Sequence, residues 1–419
     1  MRSQLQHIGL KRYTSNHANG SVLLYVLWFV VVLSVLVTGV ARSARLNSRL
    51  SQGQYEQVRL SWAAKGGIEK SIAILGNDLT ASDSQLDEWY QPHSLAMSQC
   101  DISLKIRDES SKLNVNVATL AQLKSFTNID DSIAGAIIDW RDSDGKVHSG
   151  GAESAYYSEL EPPYRIRNGH IRTIRELLLV KDISKEILFG EDTNLNGKLD
   201  ANENDGDQTE PYDNGDGNLD QGLAAWVTCY SYHDNSKKLN LKSANEQEIK
   251  AKLGVSTEIA KWLSEKKPGS LSKMIHAQSP ETPEKAKGGE LDLETFEDII
   301  DKITFTDDEY VLGLVNVNTA SYDVLYALCK GDEGIAKDIV SLREEQGGAI
   351  TSIADIYNGS IGIKSFNKIA DYITVESKVF SVQSNATSQA TGRVFTTEAI
   401  LDRRNKGTEI MYWYQGVRF

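Results

Sequence analysis

One six-residue phrase recurs three times and limits the possible folds more than any other feature of the chain. Leu113-Asn114-Val115-Asn116-Val117-Ala118 aligns without gaps to Leu239-Asn240-Leu241-Lys242-Ser243-Ala244 and to Val315-Asn316-Val317-Asn318-Thr319-Ala320. At the same distance beyond each alanine stands Ile-Ala: Ile133-Ala134, Ile259-Ala260 and Ile335-Ala336. One helical turn on, Ile137, Leu263 and Ile339 recur, followed by the bases Arg141, Lys267 and Arg343. Each unit continues through a glycine-containing turn to another short apolar segment, at 171–180, 271–276 and 350–357. The spacing predicts helix, tight turn, helix, turn, helix in each unit. Units of this size cannot bury their apolar faces alone and must stack on one another.

The N-terminus carries a different signal. Residues 1–20 hold Arg2, Lys11 and Arg12 and no acid, and residues 22–41 hold no charge at all. Twenty helical residues at about 1.5 Å each span a hydrocarbon core of roughly 30 Å. The run is longer than the apolar part of a secretory signal, so a membrane anchor is expected. Arg42, Arg45 and Arg49 follow it, so flanking charge does not set the orientation. Beyond the span, 42–75 lacks proline and carries apolar residues at helical intervals, with Gly66-Gly67 as the expected interruption.

The junction Asn19-Gly20-Ser21-Val22 resembles the end of a type IV prepilin or type II secretion pseudopilin leader. That resemblance implies cleavage after Gly20 by a prepilin peptidase, methylation of Ser21, and a single-pass inner-membrane protein with its C-terminal body in the periplasm. The fifth mature position, glutamate in most of the family, is Tyr25. Minor pseudopilin K shares that lack.

The repeats are of the helix-hairpin-helix kind, and the third resembles the competence-type DNA-binding module. Such hairpins grip phosphate with backbone N–H groups of a Gly-x-Gly turn. Here the hairpins are Asn128-Ile129-Asp130-Asp131, Gly254-Val255-Ser256-Thr257 and Gly331-Asp332-Glu333-Gly334. None offers Gly-x-Gly, and two place carboxylates where phosphate would sit. The whole chain has 58 acids against 45 bases, a net −13. That field repels a polyanion, so nucleic acid is not expected as a partner. A membrane-anchored DNA-uptake receptor is the competing reading, and it would need a basic stripe that the sequence does not supply.

Between the first two repeats come Asp139-Trp140-Arg141-Asp142-Ser143-Asp144-Gly145, Gly150-Gly151-Ala152-Glu153, Tyr156-Tyr157, Glu161-Pro162-Pro163-Tyr164, Asn168-Gly169 and Arg175-Glu176-Leu177. This succession resembles the signature of type II secretion minor pseudopilin K, the GspK family. The resemblance implies a role in protein export across the outer membrane: capping the pseudopilus tip and nucleating its assembly. The implied partners are other minor pseudopilins (I, J and H types) and the major pseudopilin. It also implies a pilin-like core split by a helical insertion.

An acidic segment follows. Asp192-Thr193-Asn194-Leu195-Asn196-Gly197-Lys198-Leu199-Asp200-Ala201-Asn202-Glu203 meets the calcium-loop pattern D-x-[DN]-x-[DN]-G-x5-E at every specified position. Asp192, Asn194, Asn196, Asp200 and Glu203 would offer side-chain oxygens, and Lys198 its carbonyl, to a structural Ca2+. Asp213, Asp216 and Asp220 form a second cluster of similar content without the full spacing. Residues 191–220 hold ten acids and one base, Lys198, and such crowding calls for a counter-ion. Millimolar external calcium would fill a loop of this type.

The C-terminal part reads as strands at 372–382, 392–402 and 409–417, with turns at Asn385-Ala386-Thr387 and Asn405-Lys406-Gly407; 102–107 is one more strand. No HExxH, GxSxG, P-loop or GxGxxG is present, so no enzyme chemistry is expected. Asp139, Asp142 and Asp144 suit helix capping or ion binding better than acid–base catalysis. Cys100, Cys229 and Cys329 form no CxxC, which excludes a zinc ribbon and leaves any disulfide open.

The expected class is α+β: a transmembrane and stalk helix, a pilin-like α/β core, and a large inserted all-α, helix-hairpin-helix-like domain. The expected divisions are 1–20 leader, 21–41 transmembrane helix and 42–107 stalk with the first part of the core. They continue as 108–310 helical insertion with the calcium loop, 311–370 further repeat, and 371–419 closing strands.

Overall fold

The computed structural model describes residues 19–78, 81–278, 293–358, 361–404 and 407–418. Most of the expected leader, residues 1–18, lies outside them. Two compact units divide the chain between Trp62 and Ala63. The first is the N-terminal part of a helix, Asn19–Asn77. Its apolar run has a mean hydropathy of 2.6 over eighteen residues, with none of that window buried. This helix is long and apolar enough to cross a membrane.

The second unit opens with the last turns of the same helix. The expected interruption at Gly66-Gly67 is not found: helix continues to Asn77. Gly67 serves close packing instead, since a Cβ there would lie 2.1 Å from Ser384 Oγ and 2.5 Å from a Leu104 methyl. Ile68, Ile74 and Leu75 pack with Trp89, Ile106, Phe380, Val382, Ala399 and Leu401 in a small core against an antiparallel sheet.

That sheet runs His93–Met97, Cys100–Asp108, Val379–Ser388, Val394–Arg404, Gly407–Arg418 in spatial order. Residues from either side of the helical region thus make one sheet, with Ile106 opposite Val382 and Val382 opposite Ala399. Along Cys100–Asp108 alternate residues are buried, the period-2 pattern of a strand with one covered face. Two expectations change. Asn385-Ala386-Thr387 is not a turn but the paired interior of a central strand, facing Thr396, Phe395 and Val394. A polar triplet can stand there because its neighbours on both sides satisfy its backbone. Residues 373–374 leave the sheet and close the third repeat instead.

Each repeat has one skeleton. Its asparagine starts a tight turn: the side chain of Asn114, Asn240 or Asn316 accepts from the backbone N–H two residues on, at 2.9, 3.0 and 3.0 Å. Its carbonyl accepts from the repeat alanine four residues on. The helix carrying Ile-Ala is capped by Asp130, Ser256 or Asp332, each accepting from the isoleucine N–H. That alanine is fully buried in all three units, as is the apolar residue one turn later. The chain then returns as a two-residue strand parallel to the first: Leu113 pairs with Val227, Leu239 with Ile303, Val315 with Ile373. The insertion is therefore not all-α. Its short parallel pairs, and one antiparallel pair between 232–234 and 310–312, hold the units shut.

The repeat asparagines also reach past their own turns. Asn114 donates to Ser231 (2.8 Å to its carbonyl), Asn240 to Asp307 (2.7 Å) and Asn316 to Ser377 (2.9 Å). Each acceptor stands three residues after the closing threonine, Thr228, Thr304 or Thr374. Asn316 does more: it also donates to the Asp83 carbonyl and to Asp108, both at 3.0 Å. Asp108, fully buried at the end of a sheet strand, further accepts from Thr319 and Ser377. This knot joins the third repeat to the sheet.

Candidate metal centre

The acidic loop leaves the helical body at a pinched neck. Gly190 bridges to Gln221, and a Cβ on Gly190 would fall 2.2 Å from the Asp220 carbonyl, so only glycine fits there at its φ of +62°. Glu191, buried at the neck, accepts from the N–H groups of Asn214 and Asp220 and so ties the two acidic clusters together. Nothing in the sequence signals this role, because its partners lie more than twenty residues away.

Within the twelve-residue pattern, Asn194 and Asn196 are brought to Asp200, whereas the carboxylates of Asp192, Asp200 and Glu203 do not gather within 4.8 Å of one another. Asp192 is 2% exposed and accepts from Asn196 N–H (2.8 Å) and Gly197 N–H (2.8 Å). Gly197 takes φ +67°, the left-handed turn that this position needs. Asn194 and Asn196 both donate their amide N–H groups to one oxygen of Asp200, each at 2.7 Å. The amide N–H groups, not the oxygens, thus face Asp200, while the Asn194 and Asn196 oxygens accept from the backbone of Asn196 and Lys198; each amide would have to turn over for its oxygen to meet a cation there. Glu203 is 1% exposed. One of its oxygens accepts from Asp200 N–H at 3.0 Å; the other, Oε1, is buried with no partner. Burial pushes the Glu203 carboxyl above the usual range, and Asp200, Asp192 and Glu191 push it the same way. A buried, orphaned carboxylate oxygen amid hard oxygen donors fits a calcium ion. Lys198 is exposed, and its side chain takes no part in this arrangement.

The second cluster is looser. Asp213 accepts from the N–H groups of Asp205, Gly206 and Gly215, and Asp216 from Asn218. Asp220 accepts from the Asn214 amide. Asp216 and Asp220 are exposed, so this arrangement already satisfies its donors without burying charge.

The first loop leans on the sheet. Lys105 donates to the Asn196 carbonyl at 2.7 Å, and Gln383 to the Asn194 carbonyl at 3.3 Å. Arg107 lies in the field of Asp192, Glu109 and Glu398. Two bases of one strand therefore face the acidic loop, a contact that the sequence hides because ninety-one residues separate Lys105 from Asn196. Gly20 and Ser21 stand in the first turn of the long helix, far in sequence from this site. All three cysteines are free thiols.

Residues 102–189 match the family described as type II secretion system (T2SS), protein K. This segment belongs to the type II secretion protein K family. The protein K segment begins in the second sheet strand, includes the D-W-x-D-x-D-G and G-G-A-E run, and ends one residue before the neck of the acidic loop. A solved structure described as the GspK-GspI-GspJ complex from the enterotoxigenic Escherichia coli type 2 secretion system is similar to 87% of this chain and 99% of its own. Its sequence identity is 12% and its TM-score 0.49. No curated protein matches the chain.

Proposed function

We propose that the chain is a minor pseudopilin of the type II secretion system, anchored in the inner membrane with its body in the periplasm. There it would cap the pseudopilus tip and nucleate its assembly with the other minor pseudopilins. One observation carries the reading. The protein K segment starts as a strand of the five-stranded sheet, and the end of the membrane-length helix packs on that sheet through Ile68, Ile74 and Leu75. A helix that anchors and a head that folds on its end suit a subunit whose work is mechanical.

In such a filament the fifth-position glutamate of a subunit meets the N-terminus of the subunit above it. A tip subunit has no such neighbour, so Tyr25 carries no penalty. The helical insertion makes the head too bulky to stack indefinitely. Calcium, held by Asp192, Asn194, Asn196, the Lys198 carbonyl, Asp200 and Glu203, would supply the missing positive charge and fix the loop against the sheet.

The test is the mass of the N-terminal peptide from membranes with active prepilin peptidase, combined with deletion of the gene. A peptide beginning at Ser21 with one methyl group, and loss of exoprotein secretion that the wild-type chain restores, are expected. An intact Met1 start with normal secretion would overturn the proposal. Tyr25→Glu should alter assembly little if the chain sits at the tip.

A further inference from the structure

The D-W-x-D-x-D-G and G-G-A-E run folds into a second cluster of acids, separate from the acidic loop. The helix Asp131–Arg141 ends at Asp142, and the chain turns back so that 148–153 lies along it. The return is close: a Cβ on Gly151 would stand 2.0 Å from an Asp139 oxygen, and Gly150 takes φ +74°. Only two glycines let the backbone approach this tightly and carry Glu153 onto the helix end.

The side chains there divide into two sets. Asp139 is fully buried and satisfied: it accepts from the His148 backbone N–H at 3.1 Å and meets the His148 ring Nδ1 at 2.5 Å. Asp142, Asp144 and Glu153 form the other set, with one oxygen of each lying within 4.8 Å of the others. Asp144 accepts from Lys146 N–H at 2.8 Å. Asp142 Oδ1 is buried without a partner, and so are both oxygens of Glu153, a residue only 7% exposed. Glu153 precedes the short helix Ser154–Glu159, yet its side chain does not cap it. It is turned into the acids instead. Among the described residues, none of the three makes an ion pair. Burial, then the neighbouring carboxylates, holds both Asp142 and Glu153 above the usual range. Three carboxylates drawn together, with three buried oxygens unsatisfied, lack a positive partner.

We infer that Asp142, Asp144 and Glu153 hold a hard divalent cation of the calcium class, with Asp139 and His148 fixing the helix end beside it. The donors are all oxygen, which favours calcium over the metals that imidazole or thiolate select. The ion would staple the glycine turn to the helix that carries the first repeat's buried Ile-Ala pair. This assignment rests on residues 139–153 alone and stands or falls independently of the place proposed for the chain in secretion.

Calcium titration of the full chain in detergent micelles, stripped with chelator and followed by calorimetry, tests it. The Glu203→Gln chain provides the background, so that the acidic loop does not mask the result. In that background the chain is expected to bind at least one calcium ion, and adding Glu153→Gln should remove one equivalent. Asp144→Asn, an exposed change that leaves the fold intact, should weaken the same ion tenfold or more. Either of two results overturns the site: no calcium bound by the Glu203→Gln chain, or stoichiometry and affinity within twofold of that background after Asp144→Asn.

Discussion

The first and third repeats share a skeleton and differ in what hangs from it. In the third, Asn318 clamps the backbone of Ile350, giving and accepting at 2.8 and 2.7 Å across 32 residues. In the first, Asn116 makes the same pair with Ile171, at 3.0 and 2.7 Å, but across 55 residues. The extra length is the glycine turn and the tyrosine- and proline-rich stretch, and the acidic loop is added before the closing strand. Arg141 donates to the Val115 and Ala118 carbonyls, and Arg343 to those of Val317, Asn318 and Ala320. A closely similar brace thus survives two large insertions in one unit. The second repeat has lost both devices: Lys242 replaces the clamping asparagine, and Lys267, at φ +43°, ends its helix. A lysine cannot fork across two carbonyls as a guanidinium does. The two acidic segments thus stand in a unit whose brace is complete.

The largest expected effect tests that skeleton. Asn316→Ala removes donors to Asp83, Asp108 and Ser377 in a fully buried knot and should cost about 3 kcal/mol. Asn114→Ala, buried but with an amide N–H group that donates to Ser231 alone, should cost about 2 kcal/mol. Asn240→Ala, whose partner Asp307 is exposed, should cost about 1 kcal/mol or less. Denaturant unfolding of the three variants gives the order directly, and an equal loss in all three would break the comparison.

How much of this the sequence reveals follows from spacing. The gapless part of each repeat is legible because the turn, the cap and the Ile-Ala pair sit at fixed distances. The closing Val227-Thr228, Ile303-Thr304 and Ile373-Thr374 escape notice although they are nearly identical, because insertions of unequal length precede them and two residues carry no periodicity. The twelve-residue acidic pattern is legible as a candidate calcium loop, since its oxygens lie within consecutive residues. Glu191, Lys105 and Arg107 are not, because only tertiary folding brings them to it. Gly67 reads as a helix breaker in sequence and proves to be a packing site, a meaning that depends on Ser384 far away in the chain.

The next effect sharpens the contrast between the braced first repeat with its loop and the bare third. If calcium fills the acidic loop, millimolar calcium should raise the melting temperature of the wild-type chain. The stabilisation should reach about 2.7 kcal/mol when calcium is a hundredfold above its Kd. Glu203→Gln should remove most of that gain while leaving the calcium-free melting temperature unchanged or higher, because it relieves a buried, unpartnered charge. A calcium response undiminished in Glu203→Gln would move the ion elsewhere.

The knot around Asp108 gives a smaller, pH-dependent effect at the third repeat. Burial lifts Asp83 to about 7, against the pull of Arg403, and burial raises Asp108 as well. An unfolded aspartate ionises near 3.9. Between roughly pH 4 and pH 7 the folded chain therefore keeps a proton that the unfolded chain releases, and stability falls as pH rises through that window. The slope from Asp83 is at most about 1.4 kcal/mol per pH unit. Asp83→Asn should flatten it, as read from denaturant midpoints between pH 4 and 7.5, and an unchanged slope would place the titration on another group.

The smallest effect concerns the hairpins and separates a packing unit from a nucleic-acid grip. In a hairpin that holds DNA, the N–H groups at the start of the second helix are left for phosphate. Here Asp130 and Asp332 fill that place, accepting from Ile133 at 2.9 Å and Ile335 at 3.4 Å, while Asp332 also pairs with Lys368 at 2.9 Å. These are stabilising caps, so Asp130→Ala should cost about 1 kcal/mol. Asp332→Ala should cost slightly more because it also breaks an exposed ion pair, itself a matter of tenths of a kcal/mol. Removing the carboxylates should leave DNA binding undetected in a mobility-shift titration, since the surrounding field stays acidic. If either variant instead gained salt-sensitive DNA binding while keeping its stability, the caps would be acting as a guard on a phosphate site, and the repeats would not be packing units alone.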